Sequence, residues 1–189
     1  MKNILLVGGA GYVGGAVSSE LNSKNYNLKV YDNLLYEDSY LKDIDFIYGD
    51  IRDKKKLKKC LNWADVVIWM AAIVGDGACD VNRENTIDIN QNTVKWLSKN
   101  YDGKIIFFST CSVYGAQNGI LDESCDVNPL SLYAQTKLES EKYLSKKNSI
   151  IFRLGTLFGI IDTYSRLRMD LVVNLLTIKA HFNKELTIF

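Results

Sequence analysis

Six short runs rich in β-branched and aromatic residues alternate with helix-forming segments along most of the chain, and this alternation constrains the fold more than any other feature. The runs are NILLV (3–7), NLKVYD (27–32), IDFIY (44–48), ADVVIWMA (64–71), GKIIFFS (103–109) and SIIFRL (149–154). Between them, segments 13–24, 54–61, 87–99 and 132–146 carry helical apolar spacing or helix-favouring charge. Strands separated by helices build βαβ units, which predicts an α/β chain with a doubly wound parallel sheet covered on both faces. The near-continuous apolarity of DVVIWMA suits a central strand buried on both sides.

At 189 residues, 47% hydrophobic and 24% charged, the chain is long enough for one domain with its own core. A formal charge of +1 provides no electrostatic reason to expect a nucleic acid or an anionic membrane as partner. The run DKKKLKKC reads as a solvated helix face. Cys60, Cys79, Cys111 and Cys125 form no CxxC pair and His181 is the single histidine, so no metal site is expected. No stretch approaches the ~20 apolar residues of a membrane span, and the start MKNILLVGG lacks the apolar core of a signal peptide. The expectation is a reduced, cytoplasmic protein.

VGGAGYVGG follows the first strand directly and opens the first helix, with Gly8, Gly11 and Gly14 in the spacing GxxGxxG. Glycines there permit a tight turn and let backbone and helix N-terminus approach a diphosphate, whose charge the free N–H groups favour. A glycine-rich turn without a ligand would use the same residues. Asp32 closes the second run, where an acid accepts hydrogen bonds from an adenine ribose and repels a 2′-phosphate, which points to NAD over NADP. The spacing is not that of a nucleoside-triphosphate loop.

SLYAQTK (131–137) puts Tyr133 and Lys137 four residues apart, on one face of a helix. Such a pair is compatible with ordinary helix surface; a cofactor and a third partner would make it half of an active site. Thr110, at the end of the fifth run, lies at the carboxyl edge where open α/β sheets bind ligands.

Taken in order, GGAGYVGG, YDN, GDIRD, the alanines after the fourth strand, STCSVYG, YAQTK and RLGTLFG resemble the extended short-chain dehydrogenase/reductase family of NAD-dependent sugar-nucleotide epimerases and dehydratases. The resemblance covers essentially the whole chain and implies a Rossmann fold. It implies that Tyr12 and Val13 offer backbone to the pyrophosphate, and that Asp32 and Asn33 meet the adenosine ribose. Asp50 and Ile51 should border the adenine, and Met70, Ala71 and Ala72 should line the nicotinamide side with Asn90 nearby. Plain core packing is the alternative for Ile51, Met70 and the alanines. Thr110, Tyr133 and Lys137 are implied as the catalytic triad. Thr110 would hold the substrate oxygen, and Tyr133 would act as acid/base with its pKa lowered by the lysine and an oxidised nicotinamide. Lys137 would also bind the cofactor ribose, so that Tyr133 and Lys137 count as cofactor contacts too.

Cys111 and Ser112 stand where sugar 4,6-dehydratases carry acidic groups, which disfavours dehydration. Cys111 is read as a buried, inert packing residue, with a second acid/base as the alternative. Cys111 and Ser112 are also candidate substrate contacts, and the resemblance makes Arg166, Arg168 and Asn174 candidate contacts to a nucleotide-sugar substrate, with a loop and helix start as the other reading of these three. The resemblance implies a homodimer through segments 87–99 and 132–146, with Val94, Leu97 and Leu138 offering apolar contact either there or to the protein's own sheet.

Two regions are expected: an NAD-binding domain over 1–160 and the start of a substrate-binding region over 161–189, the run ELTIF ending as if cut. A 4-epimerase is the leading function. A nucleotide-sugar or small-carbonyl reductase is one alternative, and a non-catalytic NAD-binding domain or inactive fragment another. NAD binding with little turnover is the expected behaviour of the chain alone.

Overall fold

The computed structural model describes residues 1–183 and Leu186; the terminal run ELTIF, apart from Leu186, lies outside the described residues. The strands are β1 (Asn3–Val7), β2 (Asn27–Asp32), β3 (Asp45–Tyr48), β4 (Val66–Trp69), β5 (Lys104–Thr110) and β6 (Ser149–Leu154). The helices are α1 (Tyr12–Asn22), α2 (Lys54–Trp63), α3 (Asp76–Val81), α4 (Arg83–Ile87), α5 (Thr93–Asn100), α6 (Leu132–Leu144) and α7 (Val172–Asn183). One π turn, Asp88–Asn92, joins α4 to α5, so a single helical rod runs from 83 to 100.

All six strands are parallel, in the order β3-β2-β1-β4-β5-β6. The chain moves outward from β1 to β3, returns to place β4 beside β1, then moves outward the other way. Strand order reverses between β1 and β4, and a crevice opens there at the carboxyl ends of the strands. Strand β4 is apolar throughout and β1 is apolar after Asn3, as strands covered on both faces must be.

Successive side chains alternate between faces. Leu5, Val7, Val67, Trp69, Ile105 and Phe107 pack with Leu57, Leu61, Val94, Leu97 and Leu144 from α2, α5 and α6. Ile4, Leu6, Val30 and Ile68 pack on the other face with Val17 and Leu21 of α1. Val94 and Leu97 are fully buried in this internal core, so they are not the outward apolar contacts expected for a dimer. Leu138 is half-buried.

Helix α3 has no counterpart among the sequence-derived segments, because Gly75 and Gly77 interrupt its apolar spacing. The rod begins before residue 87: the Asn82 side chain caps it by accepting from the Asn85 N–H. Helix α6 starts as expected, with Ser131 accepting from the Ala134 N–H. Beside the apolar Leu132, Ala134 and Leu144, its inward face buries four polar residues, Thr136, Lys137, Ser140 and Glu141. Among the described residues, no helix is long and apolar enough to cross a membrane.

Candidate active site

A cleft of about 670 Å³ runs along the carboxyl edge of the sheet, lined at one end by Asp32, Asn33, Asp50 and Ile51 and at the other by Thr110, Tyr133 and Lys137. Gly8, Gly11, Tyr12, Val13, Gly14, Met70, Ala71 and Ala72 line it between those ends. The separate sequence motifs therefore meet in one trough.

The three glycines do different work. Gly8 has φ +81°, and a Cβ there would lie 2.4 Å from the Ala71 backbone nitrogen, so the β1 and β4 loops can meet only at a glycine. A Cβ on Gly14 would lie 2.5 Å from the Gly9 carbonyl oxygen, which sets how closely α1 rides on the loop. Gly11 is different: the nearest atom to an added Cβ is the Gly8 oxygen at 3.6 Å, so space is open beside it. Gly11 is also the N-cap of α1, and no side chain caps the helix or places an acid in its first turn. Open space and uncapped N–H groups facing a cleft suit an anion.

Asp32 is held by this loop: its carboxylate accepts from the Ala10 N–H at 3.0 Å and from the Leu34 N–H at 2.9 Å. Burial pushes its pKa up, while the backbone N–H groups of Leu34, Ala10 and Asn33 oppose the rise. Asp50 is gripped by the Arg52 guanidinium at 2.9 Å and 2.6 Å, which with the Asn33 side chain holds its carboxyl below the usual range. The residues therefore fit a dinucleotide, with acceptors for a ribose at one end and donors for a diphosphate in the middle.

Asn90 does not line the cleft. Its amide accepts from the Ile73 N–H at 2.8 Å and donates to the Ile73 carbonyl at 2.9 Å, pinning the loop after β4. The π turn carries Asn90 into this position, and Ser140 of α6 donates to its backbone oxygen at 2.8 Å.

At the far end, the Thr110 hydroxyl accepts from the Ser112 N–H and donates to the Ser112 hydroxyl, both at 3.1 Å, capping a 3₁₀ turn over Cys111–Tyr114. Lys137 is buried, donates to the Phe108 carbonyl at 2.7 Å and lies 5.9 Å from the centroid of the Tyr133 ring. Burial pulls its pKa down to about 8. Burial likewise pushes the Tyr133 phenol up to about 12, against the lowering expected of it in a loaded site. Desolvation outweighs the opposing charge of Arg168, so the phenol stays protonated at neutral pH.

Cys111 is exposed and lines the cleft with Ser112, which corrects the expectation of a buried packing residue. The reason is local: the chain leaves β5 at this point and turns along the cleft wall. Arg166 and Arg168 also line the cleft, but both guanidiniums have partners within the chain. Arg166 stacks 3.8 Å over the Tyr36 ring, and Arg168 forms a forked pair with Asp170. Asn174 does not line the cleft; its amide accepts from the Gly159 N–H at 2.7 Å and donates to the Arg168 carbonyl at 2.8 Å. It ties α7 to the preceding loop.

That loop straps over α1. Tyr12 donates to the Gly159 carbonyl at 2.8 Å, and Lys42 pairs with Asp162 while donating to the Gly15 carbonyl at 2.6 Å. The lining also includes Leu154 to Leu157 of the RLGTLFG motif, together with Leu34 to Glu37 and Val74 to Asp76, which the sequence motifs did not single out. The apolar run Leu34 to Tyr36, close behind Asp32 and outside any strand pattern, was the available signal.

Comparison with known proteins agrees with this geometry. The chain is 33% identical over 151 residues to a UDP-glucose 4-epimerase of Rhizobium meliloti, covering 76% of this chain and 46% of that protein. It is 29% identical over 174 residues to an inverting UDP-N-acetylglucosamine 4,6-dehydratase of Campylobacter jejuni, covering 84% of this chain and 47% of that one. A solved UDP-glucuronic acid 4-epimerase from Bacillus cereus, in complex with UDP-glucuronic acid and NAD, superposes with TM-score 0.83 at 27% identity, covering 99% of this chain and 65% of that one. The chain spans about half the length of the curated relatives it matches. The family model described as "NAD dependent epimerase/dehydratase family" matches residues 4–189, and with the fold and the cleft in agreement, the chain belongs to the NAD-dependent epimerase/dehydratase family.

Proposed function

We propose that the cleft binds NAD and that the chain is the cofactor-binding part of a sugar-nucleotide 4-epimerase, with Thr110, Tyr133 and Lys137 at the reacting end. One observation carries the reading: a single trough joins the open space at Gly11 and the acceptors of Asp32 to those three side chains. Bound NAD would supply reversible two-electron oxidation at a sugar carbinol carbon. The Tyr133 phenol is the acid/base for the sugar hydroxyl, and the Thr110 hydroxyl holds the same oxygen. Lys137, one turn along α6, favours the phenolate when charged.

Tyr12 and Val13 take the diphosphate through α1, and Asp32 with Asn33 takes the adenosine ribose. Because Asp32 already accepts two backbone N–H groups, its carboxylate is fixed before a ligand arrives. An added 2′-phosphate would face that carboxylate, so NAD is preferred to NADP. Dehydration is disfavoured, since Cys111 and Ser112 supply no carboxylate to the cleft. We assign 1–160 to the cofactor domain and 161–189 to the start of the sugar-nucleotide region, with Arg166 and Arg168 as the residues that would exchange their internal partners for a substrate anion. A homodimer through the outer faces of α5 and α6 belongs to the same reading, and sedimentation showing only monomer at micromolar concentration would contradict it.

The test is a paired assay on a panel of UDP-sugars with NAD. NMR follows the C4 epimer, and absorbance at 340 nm follows reduced cofactor. NAD binding with slow turnover is expected of this chain alone, and what turnover there is should give epimer without accumulating reduced cofactor. Stoichiometric NADH formation would indicate a dehydrogenase instead.

A further inference from the structure

Directly behind Thr110 and Lys137 lies a buried ionic cluster for which nothing so far accounts. Glu141 follows Lys137 by four residues on the inward face of α6 and is 7% exposed. Its carboxylate accepts from the Ser109 hydroxyl and from the Arg153 guanidinium, the latter through Nε at 3.2 Å to each oxygen and Nη2 at 2.8 Å. Ser109 precedes Thr110 on β5 and pairs in register with Arg153 on β6. The Arg153 guanidinium also stacks 4.9 Å from the centroid of the Tyr114 ring, in the turn that Thr110 caps.

One carboxylate thus ties together β5, β6, α6 and, through Arg153, the 3₁₀ turn. A buried ion pair is a poor source of stability, since desolvation offsets its attraction, and an apolar cluster would hold these elements together as well. What an apolar cluster lacks is direction. Thr110 rides on β5, whereas Tyr133 and Lys137 ride on α6, and the path between them runs from Thr110 to Ser109, to Glu141 and back one helical turn to Lys137. We propose that Glu141, clamped by Arg153, is a positioning residue that fixes Thr110 and Lys137 relative to each other and faces Lys137 with a standing negative charge.

The electrostatics agree. The titratable groups facing Lys137 are Tyr133 and Glu141 on its own helix and Cys79 from α3, with Arg153 on β6 behind Glu141. Cys79 is pushed up to about 11 by burial and Tyr133 up to about 12, so both are neutral near pH 7. Glu141 is then the negative charge that opposes the desolvation of the Lys137 ammonium, and its hydrogen bonds with Arg153 push the guanidinium pKa further up.

This inference rests on the assignment of Thr110, Tyr133 and Lys137 to the reacting end, and its test needs neither cofactor nor sugar. The ¹³Cε resonance of Lys137 in ¹³C-lysine-labelled protein, assigned by its loss in Lys137→Met, reports ammonium titration directly. Glu141→Gln leaves Arg153 unpaired and destabilises the fold, so the decisive variant is Glu141→Gln with Arg153→Gln, which removes both charges and keeps hydrogen-bonding groups. Loss of the nearer carboxylate outweighs loss of the guanidinium behind it, so the expected net result is an apparent Lys137 pKa that falls by up to about one unit, at most about a tenfold rise in the neutral fraction at pH 6. A folded double variant whose Lys137 titrates as in the wild type would overturn the proposal and leave the cluster a structural one. Ser109→Ala provides a second reading: the carboxylate stays with Arg153, so the titration should stay within a few tenths of a unit, and a full one-unit fall there would also contradict the role of the charge. Absence of NAD binding would defeat the assignment of the cleft without touching this readout.

Discussion

Gly8 and Gly11 occupy the same loop, yet replacing each with alanine should damage the protein in opposite ways. At Gly8 the added Cβ would sit 2.4 Å and 2.6 Å from the backbone N and Cα of Ala71, at φ +81°. A left-handed backbone costs a non-glycine residue ~1–2 kcal/mol, and forcing backbone apart in a packed core costs ~1–3 kcal/mol. Together these make ~3 kcal/mol, or a fall of roughly 6–12 °C in melting temperature for a chain of this size. At Gly11 the backbone is ordinary, φ −74° and ψ 178°, and the nearest protein atom to a Cβ is 3.6 Å away. Gly11→Ala should therefore cost less than ~1 kcal/mol of stability, under about 4 °C. Its Cβ instead enters the space assigned to the diphosphate, and NAD affinity should fall at least about tenfold, ~1.4 kcal/mol. Thermal unfolding by circular dichroism and calorimetric titration with NAD separate the two losses. Wild-type NAD affinity in Gly11→Ala would refute the diphosphate assignment, and a Gly8-sized drop in its melting temperature would refute the reading of the open space.

Asp32→Ser should narrow the preference for NAD over NADP from an expected tenfold or more toward parity, measured by titration with both; an unchanged ratio would remove Asp32 from cofactor selection. Lys137, whose pKa falls from 10.5 to about 8, binds its proton less tightly folded than unfolded, so the unfolded state carries more protons between those values and stability should rise with pH across that window. The shift corresponds to about 3 kcal/mol, and Lys137→Met should flatten the rise in urea midpoints. The phenols of Tyr40, Tyr101 and Tyr133 shift the other way, up to about 12 from 10.0, so the stability they contribute is present below pH 10 and is lost as pH rises through 12. A midpoint that holds constant from pH 10 to 12 would contradict that burial.

The strands were legible because each is a compact apolar run bounded by polar residues; NILLV and SIIFRL match β1 and β6 residue for residue. The trough was legible for a related reason, since the glycine loop, Asp32, Thr110 and the Tyr133–Lys137 pair all lie at carboxyl ends of strands or on the helices that follow. Helix α3 was not, because two glycines dilute its pattern and its order comes from packing Cys79 against Leu132 and Tyr133. Contacts between distant segments were illegible as well. Nothing in RLRMDLVVN announces that Asn174 will close on Gly159. The Glu141 cluster shows the same limit: a polar inward face on α6 looks like a solvated helix face until β5 and β6 are placed beneath it.

The central claim, that a bound NAD meets Tyr133 in this cleft, is tested most directly by phenolate absorbance at 295 nm. Difference spectra between NAD-saturated and free protein are recorded from pH 6 to pH 10 for the wild type and Tyr133→Phe. In the free protein Tyr133, with a pKa of about 12, contributes no phenolate in this range. The positive charge of an oxidised nicotinamide beside it, with Lys137, favours the phenolate and lowers that pKa. The account predicts a titrating signal of one tyrosine on saturation with NAD, absent from Tyr133→Phe. Saturable NAD binding with no such signal, or the same signal in Tyr133→Phe, would contradict it.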